Sequence, residues 1–445
     1  MWRLLSCVLA CTACTATAPY TPASTRAPPR APAPPAAGSP DALAAFDGLP
    51  NGMVDLATHR ADQAAFDSQE EISEGLGPLY NAHACRDCHE NPIAGGGSQV
   101  TELRAGHRDE QGAFVFPQVR IGGGSVVVTG RTLINDKAIC PGAEFPDGDA
   151  QQHLPETENI RALRLSISVL GDGYVEAVPD ELLQAISRWQ CGQPELGVCG
   201  TVMLVPVLES PSRAWVGRFG WKSEHASLLS FSADAYLNEM GVTSPLRPKD
   251  VTSLCDTVPD PEDRPDETGA TDVDRFARFI RATKAPPRDA RLAATAEARN
   301  GSTVFESIGC AVCHAPTLTT APPGTPLFDG AYRVPQALGS RTIHPYSDYL
   351  MHDVGTGDGI VLAVPEHHGP QFMAMQASFA ESANRIRTAP LWGLRTRSRL
   401  MHDGLSFTLR EAISRHQGEA RAARAAFDGL PPASQEQLLT FLRSL

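Results

Sequence analysis

The sequence predicts a mainly helical protein of two domains with irregular and β insertions. Three observations lead to this prediction. The pattern Cys-x-x-Cys-His occurs twice, at 85–89 and at 310–314. A helix-forming segment runs into each copy, and the stretches that follow the two copies resemble each other at matching distances. With 445 residues and 42% hydrophobic content, the chain is long enough for two domains that each bury a core.

Composition excludes several classes of protein. A net charge of −13 argues against a nucleic-acid partner, because such binders need clustered Lys and Arg. No apolar run approaches the roughly 18 residues of a membrane-spanning helix. The 11 cysteines are an odd number, so complete disulfide pairing within the full chain is ruled out.

The N-terminus indicates export. Residues 1–14 hold one positive charge and a short apolar run that ends in cysteines, which is typical of a signal peptide with a lipobox. Cys11 follows small residues and is one candidate for acylation, and Cys14 is the other; a plain signal peptide that is cleaved is the alternative. Residues 15–40, rich in Ala, Pro and Thr, are expected to be a linker. We therefore expect a periplasmic or outer-membrane-facing protein with a lipid anchor.

Each Cys-x-x-Cys-His motif predicts one covalently bound haem c. Two thiols form thioethers with the porphyrin, and the histidine that follows binds the iron from one side. The attaching cysteines are Cys85, Cys88, Cys310 and Cys313, and the proximal ligands are His89 and His314. A redox dithiol and half of a zinc site are the alternatives, but a zinc site needs further Cys or His pairs at short spacing, which the sequence lacks.

The motifs and the segments before them define the fold class and the domains. Residues 67–79 and 300–308 are predicted to run helically into the first and second motifs, which is how cytochrome c domains begin. We therefore expect two cytochrome c-like haem domains, at 41–285 and 286–445, with irregular and β insertions.

An internal repeat links the stretches after the motifs. Gly171 lies 82 residues beyond His89, and Gly393 lies 79 residues beyond His314. An alignment with a gap of about four residues then places Glu176 where the second copy has His402.

With these motifs the chain resembles the bacterial dihaem cytochrome c peroxidase superfamily, and within it the branch of dihaem, or thiol, oxidoreductases. The segments that carry the resemblance are GLGPLYN at 75–81, GRFGWK at 217–222, YSDYLMHDVG at 346–355, RTAPLWGL at 387–394, and MHDG at 401–404 leading to EAI at 411–413. The resemblance covers roughly residues 45–445, and it implies the fold and the cofactor more firmly than the substrate.

The resemblance also implies axial ligands. In the peroxidases, the position this far beyond the His-Asp-Gly element supplies the distal ligand of the C-terminal haem, and here that position is His416. Two histidine ligands would lower the reduction potential relative to histidine and methionine. A surface helix histidine is the alternative. His402 is expected to contact a propionate or to support the fold rather than to bind iron.

The reactive iron is expected at the first haem. His107, in a Gly-rich loop, or Met240 would close its sixth position; if neither binds, this haem is open to peroxide. Glu176 is the candidate acid and base, with an exposed acid as the alternative. Trp221 and Trp392 are candidates for a place between the haems, with simple packing as the alternative.

Four further cysteines are expected in two disulfides. Cys191 and Cys199 close a short loop and form the natural local pair, which leaves Cys140 with Cys255; a reactive thiol pair is the alternative. The related peroxidases carry calcium between their domains, so calcium is a further candidate ligand, although the sequence contains no twelve-residue calcium loop.

The function expected from these features is that of an exported dihaem oxidoreductase of the peroxidase type. A small redox protein would donate electrons to the C-terminal haem, which would pass them to the N-terminal haem for the reduction of peroxide. One alternative is MauG-like oxidation of a partner protein. The other is a cytochrome that only transfers electrons, with both irons six-coordinate.

Overall fold

The computed structural model describes residues 39–140, 151–362, 379 and 381–445. The predicted signal peptide at 1–14 and nearly all of the predicted linker at 15–40 lie outside these residues, and so do Cys11 and Cys14. In the described part of the chain, no helix combines the length and the apolar character needed to span a membrane.

Helices make up 32% of the structure and strands 17%. The predicted helical character is confirmed, but the strand content is higher than we expect of a mainly helical protein. The α-helices of the described ranges are α1 (Leu56–Asp67), α2 (Asp172–Glu176), α3 (Asp180–Cys191), α4 (Leu228–Ala235), α5 (Asp272–Ala282), α6 (Ala290–Ala293), α7 (Ala296–Ser307), α8 (Leu409–Ser414), α9 (Arg421–Asp428) and α10 (Pro432–Arg443). A single π-helical turn, Tyr236–Met240, continues α4.

The strands are short and form several small antiparallel sheets. They are β1 (Leu79–Tyr80), β2 (Thr101–Arg108), β3 (Phe114–Val115), β4 (Val119–Ile121), β5 (Val126–Val128), β6 (Leu133–Ile134), β7 (Lys137–Ala138), β8 (Ile160–Leu165), β9 (Leu204–Val207), β10 (Ser210–Val216), β11 (Leu318–Thr319), β12 (Pro326–Leu327), β13 (Tyr332–Arg333), β14 (Thr342–Ile343), β15 (Met351–His352) and β16 (Ile386–Arg387). The largest sheet is built on β2, which pairs with β8 from Thr101 to Gly106 and with β6 and β3. This sheet is the predicted β insertion after the first motif.

Each motif lies beside its own group of packed helices. In the first group, Phe66 of α1 contacts Phe279 of α5 at a ring-centroid distance of 4.8 Å. In the second group, Phe305 of α7 contacts Phe441 of α10 at 5.3 Å. Gly301 permits this close packing, because a Cβ atom there would lie 2.0 Å from the carbonyl oxygen of Gln437. The largest hydrophobic cluster contains residues from both sides of position 285, so the predicted domain boundary stays a prediction.

The helix predicted at 300–308 is confirmed within α7, whereas the helix predicted at 67–79 is wrong. Helix α1 ends at Asp67, and the chain then turns sharply before the first motif. Gly75 and Gly77 have φ angles of 114° and 100°, and Pro78 lacks a backbone N–H, so a helix cannot continue through them. These three residues therefore prevent the helix that the polar–apolar pattern of the segment predicts.

The two predicted disulfides are confirmed. Cys140 is bonded to Cys255, and Cys191 to Cys199, with Cα–Cα distances of 5.6 and 4.3 Å. The reactive thiol pair considered as an alternative is therefore wrong. Among the described cysteines, those of the two motifs are the unbonded ones. The repeat also has a structural counterpart, since Gly171 and Gly393 both adopt left-handed φ angles, of 81° and 70°, immediately before a helical turn.

Candidate functional site

Both Cys-x-x-Cys-His motifs fold into one helical turn. In the first, the backbone N–H of His89 donates to the carbonyl of Cys85 at 3.1 Å. In the second, the N–H of His314 donates to the carbonyl of Cys310 at 3.0 Å. A single turn places the two thiols and the imidazole on neighbouring positions of one surface, which is the arrangement that attachment to one macrocycle requires.

Three histidines share one hydrogen-bonding pattern. The Nδ1 atom of His89 lies 3.3 Å from the carbonyl oxygen of Gly96, that of His314 lies 3.0 Å from the oxygen of Tyr346, and that of His416 lies 2.8 Å from the oxygen of Ala412. A carbonyl oxygen only accepts, so Nδ1 carries the proton in each ring and Nε2 keeps its lone pair. This is the outer-shell contact that metal-binding histidines make.

His314 and His416 face each other. Their ring centroids are 6.4 Å apart. A metal–imidazole bond of about 2 Å on each side, with about 1.1 Å from each nitrogen to its ring centroid, separates two axial imidazoles by about 6.2 Å. The spacing therefore fits one metal ion between the two rings. Burial lowers the pKa of His314 to about 4 and also lowers the pKa of His416, which keeps both rings neutral, as ligation needs.

A cavity of about 970 Å³ opens beside this histidine pair. Apolar side chains of the second helix group form much of its wall: Phe305, Leu391, Leu394, Leu409, Ile413, Phe427, Leu438 and Leu442. Arg387, Arg397 and Arg399 also line it. Burial, together with the nearby Arg387, lowers the pKa of Arg397 to about 10, so an anion at this wall would be favoured. An apolar wall that also carries guanidinium groups suits a macrocycle that carries carboxylates.

His402 and Trp221 lie on the wall of the same cavity that extends towards the first motif. Their rings are 6.1 Å apart, and Nε1 of Trp221 donates to the carbonyl of Leu165 at 2.7 Å. The Nδ1 atom of His402 is buried without a hydrogen-bond partner, and burial lowers the pKa of this ring to about 4. A neutral ring with an unused nitrogen suits the expected contact with a carboxylate of the cofactor. Trp392 packs instead against Gly171 in the main core.

Three carboxyl groups from outside the first motif act on its thiols. The charge of Glu70 acts on Cys85, and the charges of Glu102 and Glu239 act on Cys88. Glu102 and Glu239 are hydrogen-bonded to each other. Neither acid was predicted from the sequence, because Glu102 lies on β2 and Glu239 on the π-helical turn, 137 positions apart.

The environments of Glu102 and Glu239 favour one shared proton between the two carboxyl groups. Burial raises the pKa of Glu239 to about 8, and the neighbouring charge of Glu102 adds to this effect. Burial alone would raise the pKa of Glu102 as well, but Arg104, whose Nε donates to Glu102 at 2.7 Å, lowers it. Asn81 donates to Glu239 at 2.8 Å. At neutral pH the pair therefore contains one carboxylate and one carboxylic acid.

Glu176 has a different environment from the one expected of an acid and base. Its two oxygens accept from Nε and Nη2 of Arg281 at 2.6 and 2.9 Å, and one of them also accepts from the backbone N–H of Leu228 at 2.7 Å. Its side chain is fully buried. These contacts favour a structural role, and the catalytic role of Glu176 stays a prediction that they do not support.

The two candidate ligands of the first iron, His107 and Met240, occupy different environments. Nδ1 of His107 lies within hydrogen-bonding distance of a carboxylate oxygen of Glu158, at 2.8 Å. It follows Glu102 by five positions on β2, so it lies on the opposite face of the strand, about 17 Å further along. His107 therefore lies away from the carboxyl groups that act on Cys88. Met240 is buried in the main core, next in sequence to Glu239.

A second cluster of polar side chains, beside Cys313 of the second motif, was also missed. His352 is buried between Asp348 and Glu419, at 2.9 and 2.8 Å, and its Nδ1 lies 3.8 Å from Sγ of Cys313. Gln190 donates to Asp348 at 2.8 Å. The segment YSDYLMHDVG carried part of the family resemblance, and the i, i+4 spacing of its Asp and His was the available signal.

Comparisons with known proteins identify a family. Residues 144–445 match the family described as "Di-haem oxidoreductase, putative peroxidase". The matched part contains the second motif, and the first motif precedes it. A comparison with curated proteins gives no match.

Solved structures with similarity to the chain share little sequence with it. Hydrazine synthase of Kuenenia stuttgartiensis is 14% identical, with 97% of this chain and 99% of that chain covered and a TM-score of 0.39. A variant of the diheme peroxidase BthA from Burkholderia thailandensis is 14% identical, with 87% and 85% covered and a TM-score of 0.38. A MauG-like protein associated with microbial copper homeostasis is 19% identical, with 39% and 52% covered and a TM-score of 0.23. The assignment therefore rests on the family match, which spans more than half of the chain: the protein belongs to the di-haem oxidoreductase family and uses two haem cofactors.

Proposed function

We propose that this protein is a c-type dihaem oxidoreductase in which the second haem transfers electrons and the first reacts with peroxide. The observation that carries the proposal is the facing pair of His314 and His416, whose spacing suits two axial ligands on one iron. An iron with two strong ligands has no position for a substrate, so its use is electron transfer. The reactive role then falls to the haem at the first motif.

Covalent attachment at both motifs is part of this proposal. Cys85 and Cys88 lie on one turn beside His89, and Cys310 and Cys313 lie likewise beside His314. Burial raises the pKa of Cys310 to about 12, so the free thiol would stay protonated and is not a ready thiolate nucleophile. This argues against the redox dithiol and favours a thioether.

Glu102 and Glu239 are the acid–base pair of the proposed reaction. A haem with an open position supplies the site where peroxide binds and its O–O bond breaks. Reduction to two water molecules takes up two electrons and two protons. A carboxylate accepts the first proton from peroxide, and a neighbouring carboxylic acid delivers a proton to the leaving oxygen. Glu102, whose pKa is lowered, would supply the carboxylate, and Glu239, whose pKa is raised, would supply the carboxylic acid.

The variant Glu239→Gln should slow the reaction with peroxide by on the order of 100-fold, since the amide cannot release a proton. In the parent protein the rate should fall as the pH rises through about 8, because the pair then loses its shared proton. Stopped-flow spectra with hydrogen peroxide between pH 6 and pH 9.5 measure both effects. Glu70→Gln, which changes the carboxyl group on the Cys85 side, should react with peroxide at the parent rate. A slow reaction of Glu70→Gln together with a parent-like rate of Glu239→Gln would contradict the assignment.

Electron supply and export complete the proposal. We infer a small redox protein as the donor, with electrons passing from the second haem to the first along the wall that holds Trp221 and His402. Export to the periplasm and a lipid anchor at Cys11 or Cys14 are supported by the sequence of residues 1–14. The two disulfides are also typical of an exported protein.

The test of the proposal is the optical and EPR spectrum of the purified ferric protein with and without hydrogen peroxide. We expect two haems that remain attached on a denaturing gel, one low-spin and one high-spin, with the high-spin signal altered by peroxide. Two low-spin haems that stay inert to peroxide after partial reduction would instead identify a cytochrome that only transfers electrons. Turnover of peroxide with a reduced donor protein would distinguish a peroxidase from an enzyme that oxidises a protein partner.

A further inference from the structure

His352 faces a carboxylate with each of its two ring nitrogens. Nε2 lies 2.9 Å from Oδ2 of Asp348, and Nδ1 lies 2.8 Å from Oε2 of Glu419. A carboxylate only accepts hydrogen bonds, so both nitrogens carry protons and the ring is a positively charged imidazolium. The side chain of His352 is 1% exposed, and Asp348 is completely buried. The structure therefore contains a full positive charge that is shielded from water, a feature that the proposed peroxide reaction does not use.

The charge of His352 acts on Cys313, the second cysteine of the second motif. Nδ1 of His352 lies 3.8 Å from Sγ of Cys313. Burial raises the pKa of the Cys313 thiol, and the carboxylates of Asp348 and Glu419 act in the same direction, whereas His352 opposes them. His352 exerts the largest effect of any single charge on this sulfur. The imidazolium therefore favours added negative charge at Cys313 and at a group bonded to it.

The two carboxylates around His352 are fixed by a loop that a disulfide closes. Nε2 of Gln190 donates to Asp348 at 2.8 Å, and the backbone N–H of Cys199 donates to Glu419 at 3.0 Å. Gln190 directly precedes the loop of residues 191–199, whose ends are bonded to each other. Because donors from both ends of this loop hold the carboxylates, the imidazolium between them has a fixed position.

The charges of the group balance only while His352 is present. Nη1 of Arg385 donates to the other oxygen of Glu419 at 2.9 Å. His352 and Arg385 supply two positive charges, and Asp348 and Glu419 supply two negative charges. Removing the imidazolium would therefore leave an excess of negative charge beside Cys313, in a region where little water screens it.

The equivalent cysteine of the first motif has neighbours of the opposite sign. Burial raises the pKa of Cys88, and the charges of Glu239, Asp87 and Glu102 all act in the same direction. Those carboxyl groups disfavour added negative charge at Cys88, whereas His352 favours it at Cys313. By charge alone, the second motif is the better place to receive an electron.

We propose that His352 is a positioning residue for electron transfer, whose fixed positive charge beside Cys313 raises the reduction potential of the second haem. This inference rests on the proposed function, since it requires a haem bonded to Cys313. Reduction moves one electron from the donor protein to ferric iron, which becomes ferrous, and no bond forms or breaks. The imidazolium stabilises the added negative charge. It would offset part of the preference for ferric iron that two axial histidines create.

The test is a spectroscopic redox titration of both haems in the haem-loaded full chain at pH 6. In His352→Gln, the equilibrium constant for reduction of the second haem should fall about tenfold, which corresponds to a potential about 59 mV lower. In Glu419→Gln, a negative charge is lost while Asp348 keeps the imidazole protonated, so the same constant should rise by about tenfold. The potential of the first haem should equal that of the parent in both variants.

His344→Gln and Glu436→Gln are matched controls, because the same substitutions are made at exposed side chains. Both controls should keep the parent potentials. A loosened structure would shift the two site variants in the same direction, whereas a loss of opposite charges shifts them in opposite directions. The proposal is overturned if His352→Gln does not lower the potential, or if Glu419→Gln does not raise it. The second condition alone decides the outcome should His352→Gln fail to fold.

The same samples separate this proposal from the proposed function. Haem that stays attached on a denaturing gel and low-spin at the second motif, with a parent potential in His352→Gln, would remove the role of His352 and leave the proposed function in place. A parent protein without covalently attached haem would overturn both.

Discussion

Replacing His416 by alanine should convert the second haem from low-spin to high-spin, so that about half of the haem in the protein changes its spectrum. Nδ1 of His416 is held by the carbonyl of Ala412, which leaves Nε2 free on the other side of the ring. The ring centroids of His416 and His314 are 6.4 Å apart. Removing the ring leaves no imidazole opposite His314, and the iron loses a strong axial ligand. EPR and optical spectra of the ferric variant measure the change.

The same variant should raise the reduction potential of the second haem, because two histidine ligands stabilise ferric iron. His344→Ala is the control, since His344 is a largely exposed histidine that contacts Asp41 at 3.2 Å. Its spectrum and potentials should equal those of the parent. If His416→Ala also left the low-spin signal intact, His416 would not be a ligand, and the division of roles between the haems would lose its main support.

Replacing Arg281 by methionine should lower the free energy of unfolding by about 3–5 kcal/mol, the cost of leaving a buried carboxylate without its partner. Glu176 is fully buried, and Arg281 supplies two of its hydrogen bonds, at 2.6 and 2.9 Å. The guanidinium also lies 4.1 Å from the ring centroid of Tyr332, so packing is lost with the charge. Denaturant unfolding followed by circular dichroism measures the loss.

Three companion variants make this result specific. Arg281→Met combined with Glu176→Leu should recover most of the lost stability, because an apolar pair leaves no buried charge. Arg443→Met should have no measurable effect, since its ion pair with Glu436 is about half exposed on both sides. A folded Glu176→Gln protein should react with peroxide at the parent rate. A cost for Arg281→Met no larger than that of Arg443→Met would contradict the structural reading of Glu176.

The sequence by itself determined the features that depend on residues close together in the chain. The Cys-x-x-Cys-His spacing sufficed to predict one helical turn that brings two thiols and one imidazole together, because that geometry involves five consecutive residues. The short loop between Cys191 and Cys199 likewise indicated a disulfide, and its formation left Cys140 with Cys255. His416 was found through its distance from a recognisable motif, not through any contact visible in the sequence.

Only the tertiary structure decided which distant groups meet. Glu102 and Glu239 interact although they lie 137 positions apart, and neither residue has a local signature in the sequence. The sequence alignment instead selected Glu176, whose partner Arg281 lies 105 positions away and holds its carboxylate. Spacing along the chain sets the geometry of a single turn, whereas the environment of a carboxyl group depends on how helices and strands pack. The turn at each motif could therefore be predicted from the sequence, whereas the environment of each carboxyl group required the fold.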